Sequence, residues 1–230
     1  MSEAFKSQPA TISKADVVSN SDTEKNASLV NGIIRLTYFE SILQDSIKAS
    51  LIFSDAGNAI DGKSVVEGLP LVGTEDFKLE MKDNNEEKLK VNMVVNSMTP
   101  LYEDGSKNVI NLSLVSEEFL RNEMGESRCR SRFNGNISDN IEKIFKDRLK
   151  TKKPLDIERT SNDYNFLGNG RTPYYMLNLL SKQGIPKDFP EGVTAGFLFF
   201  ENADGYHFKS IEGLFNQEKR NHMFLITPQM

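Results

Sequence analysis

From Gly32 to Val115 apolar and polar side chains alternate with a period of two in one short run after another. That period belongs to strands with one buried face, because successive side chains of a strand point to opposite sides. Ile34, Leu36 and Tyr38 alternate with Arg35 and Thr37, and Ile47, Ala49 and Leu51 with Lys48 and Ser50, a run that continues through Ile52 and Phe53. Phe77, Leu79 and Met81 are separated by Lys78 and Glu80; Leu89, Val91, Met93 and Val95 by Lys90, Asn92 and Val94; Ile110, Leu112 and Leu114 share one face. The breaks at 55–58, 61–63, 83–85 and 103–105 are rich in Asp, Asn and Gly, which is turn chemistry. Five or six short strands at this spacing predict an antiparallel barrel or sandwich.

The texture differs on either side. Residues 1–31 are rich in Ser, Asn, Asp, Lys and Ala with scattered Ile12, Val17 and Val18, and read as an extended or flexible arm suited to strand addition onto a neighbouring subunit. Beyond Val115 the signals are helical. Ser116 caps a first helix, with Glu117 and Glu118 at its positive end and Gly125 as its stop. Ser138 and Asp139 start a second, with Ile141, Ile144, Phe145 and Leu149 as its stripe and Lys146, Arg148 and Lys150 at its negative end. A third has Thr172 as cap, Pro173 at its first position, Met176, Leu179 and Leu180 on one face, and Gly184 with Pro186 as the stop.

A hairpin follows, with Phe197 to Phe200 running into a turn at Asp204-Gly205 and out through Tyr206 to Phe208, before helical spacing at Ile211, Leu214 and Phe215. Phe197, Phe199, Tyr206 and Phe208 form an aromatic stripe, and Leu198 and Phe200 make the other side apolar as well. Such a pair is either a core hairpin covered on both faces or a subunit contact, and these four residues are the candidate site. The expected organisation is α+β and mainly antiparallel β, with an arm at 1–31, a strand module at 32–115, a helical connecting region at 116–190, and the hairpin and tail of a further strand module at 191–230.

Chemistry is sparse in this sequence. Only His207 and His222 are present, with Cys129 as the lone thiol, so the usual zinc ligand sets are missing and no cofactor or metal is expected. His207 lies between Tyr206 and Phe208 in a strand and reads as a side chain hydrogen-bonded across the sheet, since no nucleophile or second acid partners it. Cys129 between Arg128 and Arg130 reads as a surface thiol, and Gly168-Asn169-Gly170-Arg171-Thr172-Pro173, lacking the Lys-Ser/Thr of a P-loop, as a loop with a helix cap. Glu86-Glu87 and Glu117-Glu118 read as solvated charge rather than a glycosidase pair, and the basic residues at 128–132 and 143–153 as helix-dipole and solubility charge. A net charge of −5 argues against a general nucleic-acid or anionic-membrane binder. The longest apolar run, Gly196 to Phe200, is too short to span a bilayer, no signal peptide opens the chain, and a single cysteine fits synthesis in a reducing cytoplasm.

Four segments in order carry a resemblance: Ser64 to Glu75, Ile137 to Ile141, Arg171 to Leu177, and Phe199-Phe200-Glu201 with Asp204-Gly205-Tyr206-His207-Phe208-Lys209-Ser210. Together, over roughly Gly32 to Phe215, the chain resembles the central baseplate hub proteins of T-even-like contractile-tailed bacteriophages. The resemblance implies a non-enzymatic virion protein with two similar β-barrels per subunit, so that a homotrimeric ring looks sixfold. The first barrel is then 32–115, and the hairpin belongs to the region of a second. Members of the family are usually longer, and a chain ending at Met230 is expected to be a fragment or a reduced member with an incomplete second barrel. The implied partners are the hexameric tail-tube protein, the trimeric cell-puncturing spike and baseplate wedge proteins, with DNA passing the lumen without specific binding. Assembly is expected in the bacterial host cytoplasm and residence in the tail baseplate. A peptidoglycan-cleaving tail enzyme and a monomeric ligand-binding barrel are the competing expectations, the first needing two carboxylates in one cleft and the second a closed interior pocket.

Overall fold

The computed structural model describes residues 10–20, 25–55, 62–69, 71–83, 87–104, 107–188 and 196–217. The turn residues expected at 56–58, 61, 84–85 and 105, Glu86, His222 and the tail from 218 onward lie outside the described residues. The strands in chain order are β1 (Thr11–Val18), β2 (Asn26–Ser28), β3 (Ile33–Phe39), β4 (Lys48–Asp55), β5 (Asp76–Lys82), β6 (Lys88–Asp104) and β7 (Lys107–Val115), with a short helix α1 (Val65–Gly68) before β5. All seven strands form one antiparallel sheet in the order β2-β1-β5-β6-β7-β4-β3.

The period-two pattern explains which face is buried. Ala49, Leu51 and Phe53 of β4, Phe77 and Leu79 of β5, and Ile110, Leu112 and Leu114 of β7 all point into one core. β6 gives the sheet its curl. Over 88–94 it pairs with β5, over 94–104 with β7, and the second ladder is interrupted between Val95 and Ser97 and between Pro100 and Tyr102. Each such bulge adds local right-handed twist, and Pro100 sits where a ladder donor is dispensable. The result is a curled half-barrel, and among the described residues no ladder joins its end strands β2 and β3.

One expectation is corrected. Residues 11–18 and 26–28 are strands of this sheet rather than an arm, with β1 paired to β5 and Ala15, Val17, Ala27 and Leu29 buried in its core. The alternation was hard to see because the β1–β5 register shifts between Ile12 and Lys14. That shift puts the even-numbered Ile12 and the odd-numbered Ala15 and Val17 against the same core.

The second half of the chain builds its own core from α2 (Glu117–Glu123), β8 (Arg132–Phe133), α3 (Ile137–Ile144), β9 (Leu155–Ile157), β10 (Phe166–Leu167), α4 (Pro173–Ser181), β11 (Phe197–Asn202) and β12 (Gly205–Ser210), with α5 (Ile211–Phe215) following outside it. α3 begins earlier than expected, because Asn136 rather than Ser138 caps it by accepting from the Ser138 N–H at 3.0 Å. It runs into a π-helical turn at Phe145–Leu149 that buries both end residues, and Lys150, at φ 49°, closes it. α4 has the expected Thr172 cap and Pro173 start. β11 and β12 form an antiparallel hairpin to which β9 adds in parallel, while β8 and β10 pair separately. Gly205 has no substitute in that hairpin: its φ is +138°, and a Cβ there would lie 2.7 Å from Pro154.

The middle and the edge of the sheet predict opposite sensitivities. Leu112 is fully buried on a central strand, so Leu112→Ala should cost ~2–5 kcal/mol in chemical denaturation. Ile34 is 59% exposed on the end strand β3, and Ile34→Ser should change stability by no more than ~0.5 kcal/mol.

Candidate functional site at the junction of the two cores

The hairpin residues singled out in the sequence all lie inside the second core: Phe197, Phe199, Tyr206 and Phe208 are each at most 4% exposed. Antiparallel pairing puts Phe199 opposite Phe208, and the rings stack along the diagonal, Phe197 on Phe208 at 4.4 Å and Phe199 on Tyr206 at 5.5 Å between centroids. Phe145 meets Tyr206 edge-on, and the hydroxyls of Tyr174 and Tyr206 hydrogen-bond to each other at 2.8 Å. The opposite side of the hairpin is partly covered by its own residues, with Phe200 stacked on His207. His207 bonds Asn202 through Nε2 at 2.8 Å, and its Nδ1 lies 3.6 Å from Asp156 on the parallel strand β9.

Glu201 continues the inward-facing row of Phe197 and Phe199, and its side chain is fully buried. A carboxylate on an apolar face needs partners, and Glu201 has them on both sides of the junction. From the first half it accepts the Ile47 N–H at 2.8 Å and the Ser116 hydroxyl. From the second half it pairs with Lys153 at 2.6 Å. Lys153 also holds Glu118 at 2.7 Å, and the other oxygen of Glu118 accepts from the Thr151 hydroxyl. Burial works against the Lys153 charge, but Glu201 and Glu118 outweigh it and hold its pKa above the ordinary lysine value. Nearby, Asn178 of α4 donates to Asp45 at 3.2 Å, and burial raises the Asp45 pKa.

Two expectations are therefore corrected. Glu118 is buried and paired rather than solvated, and Ser116 spends its hydroxyl on Glu201 instead of capping α2. Cys129 is a third: it is fully buried, not a surface thiol, and burial pushes its pKa up despite Arg148 nearby. The loop at 168–173 packs against it. Gly170 N–H donates to the Cys129 carbonyl at 2.8 Å, and a Cβ on Gly168 would come within 2.3 Å of the same oxygen. Glu117 remains a surface charge paired with Arg121, as expected.

Beside the junction a groove of about 390 Å³ runs between the sheet and α2, lined by Asp76, Asn92, Glu117, Glu118, Arg121 and Lys153 among others. Arg121 is already committed to Glu117 and to the Lys150 carbonyl at 3.0 Å. Among the described residues no three His, Cys, Asp or Glu side chains converge as a metal ion would require. Chemically the Lys153 cluster is a saturated clamp, each carboxylate oxygen holding at least one donor.

No family model and no curated protein matches the sequence. Among solved structures the chain is similar to the 43 kDa tail protein of prophage MuSo2 from Shewanella oneidensis, at 16% identity and a TM-score of 0.56, covering 85% of this chain and 54% of that one. The likeness is one of fold, shared with that prophage tail protein over most of this chain. The chain is similar as well to a chain of the half-lidded Francisella PdpA-VgrG complex, at 15% identity and a TM-score of 0.52, covering 86% of this chain and 31% of that one. The chain thus spans about half of the first structure and about a third of the second.

Strand periodicity points to the four aromatic residues but not to Glu201, Lys153 or Glu118. For Glu201 the signal was present, an acid in phase with two buried phenylalanines. For Lys153, embedded in a basic run, there was none. Glu201→Ala should cost ~1–3 kcal/mol in chemical denaturation, because it removes the carboxylate from the Ile47 N–H and the Ser116 hydroxyl and leaves Lys153 with Glu118 alone, while Glu201→Gln, which keeps an acceptor, should cost less. A second expectation concerns alkali. Burial, with the nearby carboxylates adding to it, raises the pKa of both Tyr174 and Tyr206 well above the ordinary value near 10. The stability this gives is complete below pH 10 and is lost as pH climbs toward the folded-state values, so native tyrosinate absorbance should rise only with unfolding for these two rings.

Proposed function

We propose that this chain is a structural, non-catalytic component of a phage tail baseplate hub, of the type found in T-even-like contractile tails. The observation that carries this reading is the fold likeness to the prophage tail protein, which extends over 85% of the chain. The PdpA-VgrG complex supports the same direction, since its chain shares the architecture at a comparable coverage of this one. In this reading three subunits form a ring with pseudo-sixfold symmetry that adapts a hexameric tail tube to a trimeric cell-puncturing spike, in the tail of the virion, with DNA passing through the lumen. Baseplate wedge proteins are further contacts.

The half-barrel is the first of the two similar domains, enlarged by residues 11–28, and 116–190 is the connecting region. The hairpin from 197 is the start of the second barrel-bearing unit. Its four aromatic residues then serve as internal support, leaving ring contacts to other surfaces. Exposed Ile34 and Phe39 on the end strand β3, with Ile42 and Leu43 directly after it, are the apolar surface best suited to that use.

Light scattering of the purified chain, alone and with its spike partner, tests the reading. A trimer is expected, at the latest once the spike is added. A chain that stays monomeric at micromolar concentration in the presence of the spike overturns it.

A further inference from the structure

The two cores are separate. One is made of residues up to Leu114 and the other of residues from Phe119 onward, and no side chain belongs to both. The backbone passes from one to the other at Val115–Ser116. Among the described residues, the hydrogen bonds that join the two lobes laterally converge on residues 44–48. Ile47 bonds Glu201 and, through its carbonyl, the Ser116 N–H at 3.2 Å; Gln44 accepts from the Glu201 N–H; Asp45 accepts from Asn178; and the Lys48 ammonium lies 5.5 Å from the centre of the Phe119 ring. Val94, Val115 and Phe200 are buried but lie outside both cores, an apolar contribution without the directionality of a hydrogen bond.

Against that footprint the Lys153 cluster is the directional element. Glu201 and Glu118 carry two negative charges at buried positions, and one ammonium bridges them at 2.6 and 2.7 Å. Without it the two carboxylates repel at short range in a poorly solvated site, and moving the lobes apart to admit water is the direct relief. The bridge is also reachable. The Lys153 side chain is 30% exposed, and with Glu118 it lines the groove between the sheet and α2. A carboxylate or a cation brought into that groove competes for one half of the bridge.

We propose that Lys153 is a releasable latch that fixes the angle between two independently cored lobes, and that losing its bridge lets the helical lobe turn about 115–116 and 44–48 while both cores stay folded. This inference does not depend on the oligomeric state or on the tail role. It assigns Lys153 a positioning function beyond its one contact with a core, the ammonium 5.8 Å from the centre of the Tyr206 ring.

The test uses spin labels at two exposed positions, Thr99→Cys on β6 and Lys143→Cys on α3, with Cys129 left in place because it is fully buried. Labelled chain is diluted into unlabelled chain, so that distances within one subunit dominate. The parent should give one narrow distance distribution, and Lys153→Met a distribution at least twice as broad. Hydrogen-exchange protection at Leu112 and Phe208, one in each core, should be unchanged, and Lys153→Arg, which can bridge the same two carboxylates, should restore the narrow distribution. A narrow distribution in Lys153→Met overturns the proposal. So does a loss of protection in both lobes together, since that would make them one cooperative unit.

Discussion

A single ammonium group bridges two buried carboxylates at the boundary between the cores, and the relation of the lobes rests on it. Glu201 is presented by the most aromatic hairpin of the chain, Glu118 by the first helix after the sheet, and Lys153 by the segment leading into β9. Each comes from a different element, so the bridge exists only when all three are in place. The remaining lone pairs are filled by Ile47, Ser116 and Thr151. A cluster satisfied in this way resists distortion, because every partial movement leaves some buried polar atom without a partner.

The hairpin has a double role. Its aromatic side makes the second core, through stacked pairs fixed by register, and the same row of inward positions ends in the acid that reaches the first lobe. Packing and orientation are thereby coupled through one strand: a shift of β11 by one residue would remove Phe197 and Phe199 from the core and Glu201 from the junction together. This explains how a polar junction can be definite. Its most important carboxylate is aimed by a rigid apolar element rather than by a surface loop.

Much of the fold was legible because it rests on simple periodicity. β4, β5 and β7 follow alternation that no bulge disturbs on the buried face, whereas in β3 a register shift between Ile33 and Arg35 leaves Ile34 exposed and packs Ile33 with Leu36 and Tyr38 on the core; α4 begins at the Thr172-Pro173 signal. β1 was hidden by a register shift and by the small size of Ala15, so a polar-looking segment proved to be a strand of the main sheet. The junction was harder to read for a different reason. Glu118 and Lys153 sit in runs of like charge that normally face water, and only their distant partners in the fold make them internal. Cys129 was misplaced likewise, since two flanking arginines suggest exposure while its own side chain points inward beneath the Gly168 loop.

The length of β6 has an evolutionary side. Because 88–94 is tied to β5 and 94–104 to β7, this strand acts as a common ruler for two ladders that meet at Val94. Sliding one ladder would drag the other out of phase, so the connections at either end of β6 can lengthen, shorten or change composition among relatives without altering the alignment of the sheet. Diversity in such proteins should therefore collect at the hairpin tips, while the ruler itself keeps its residue count.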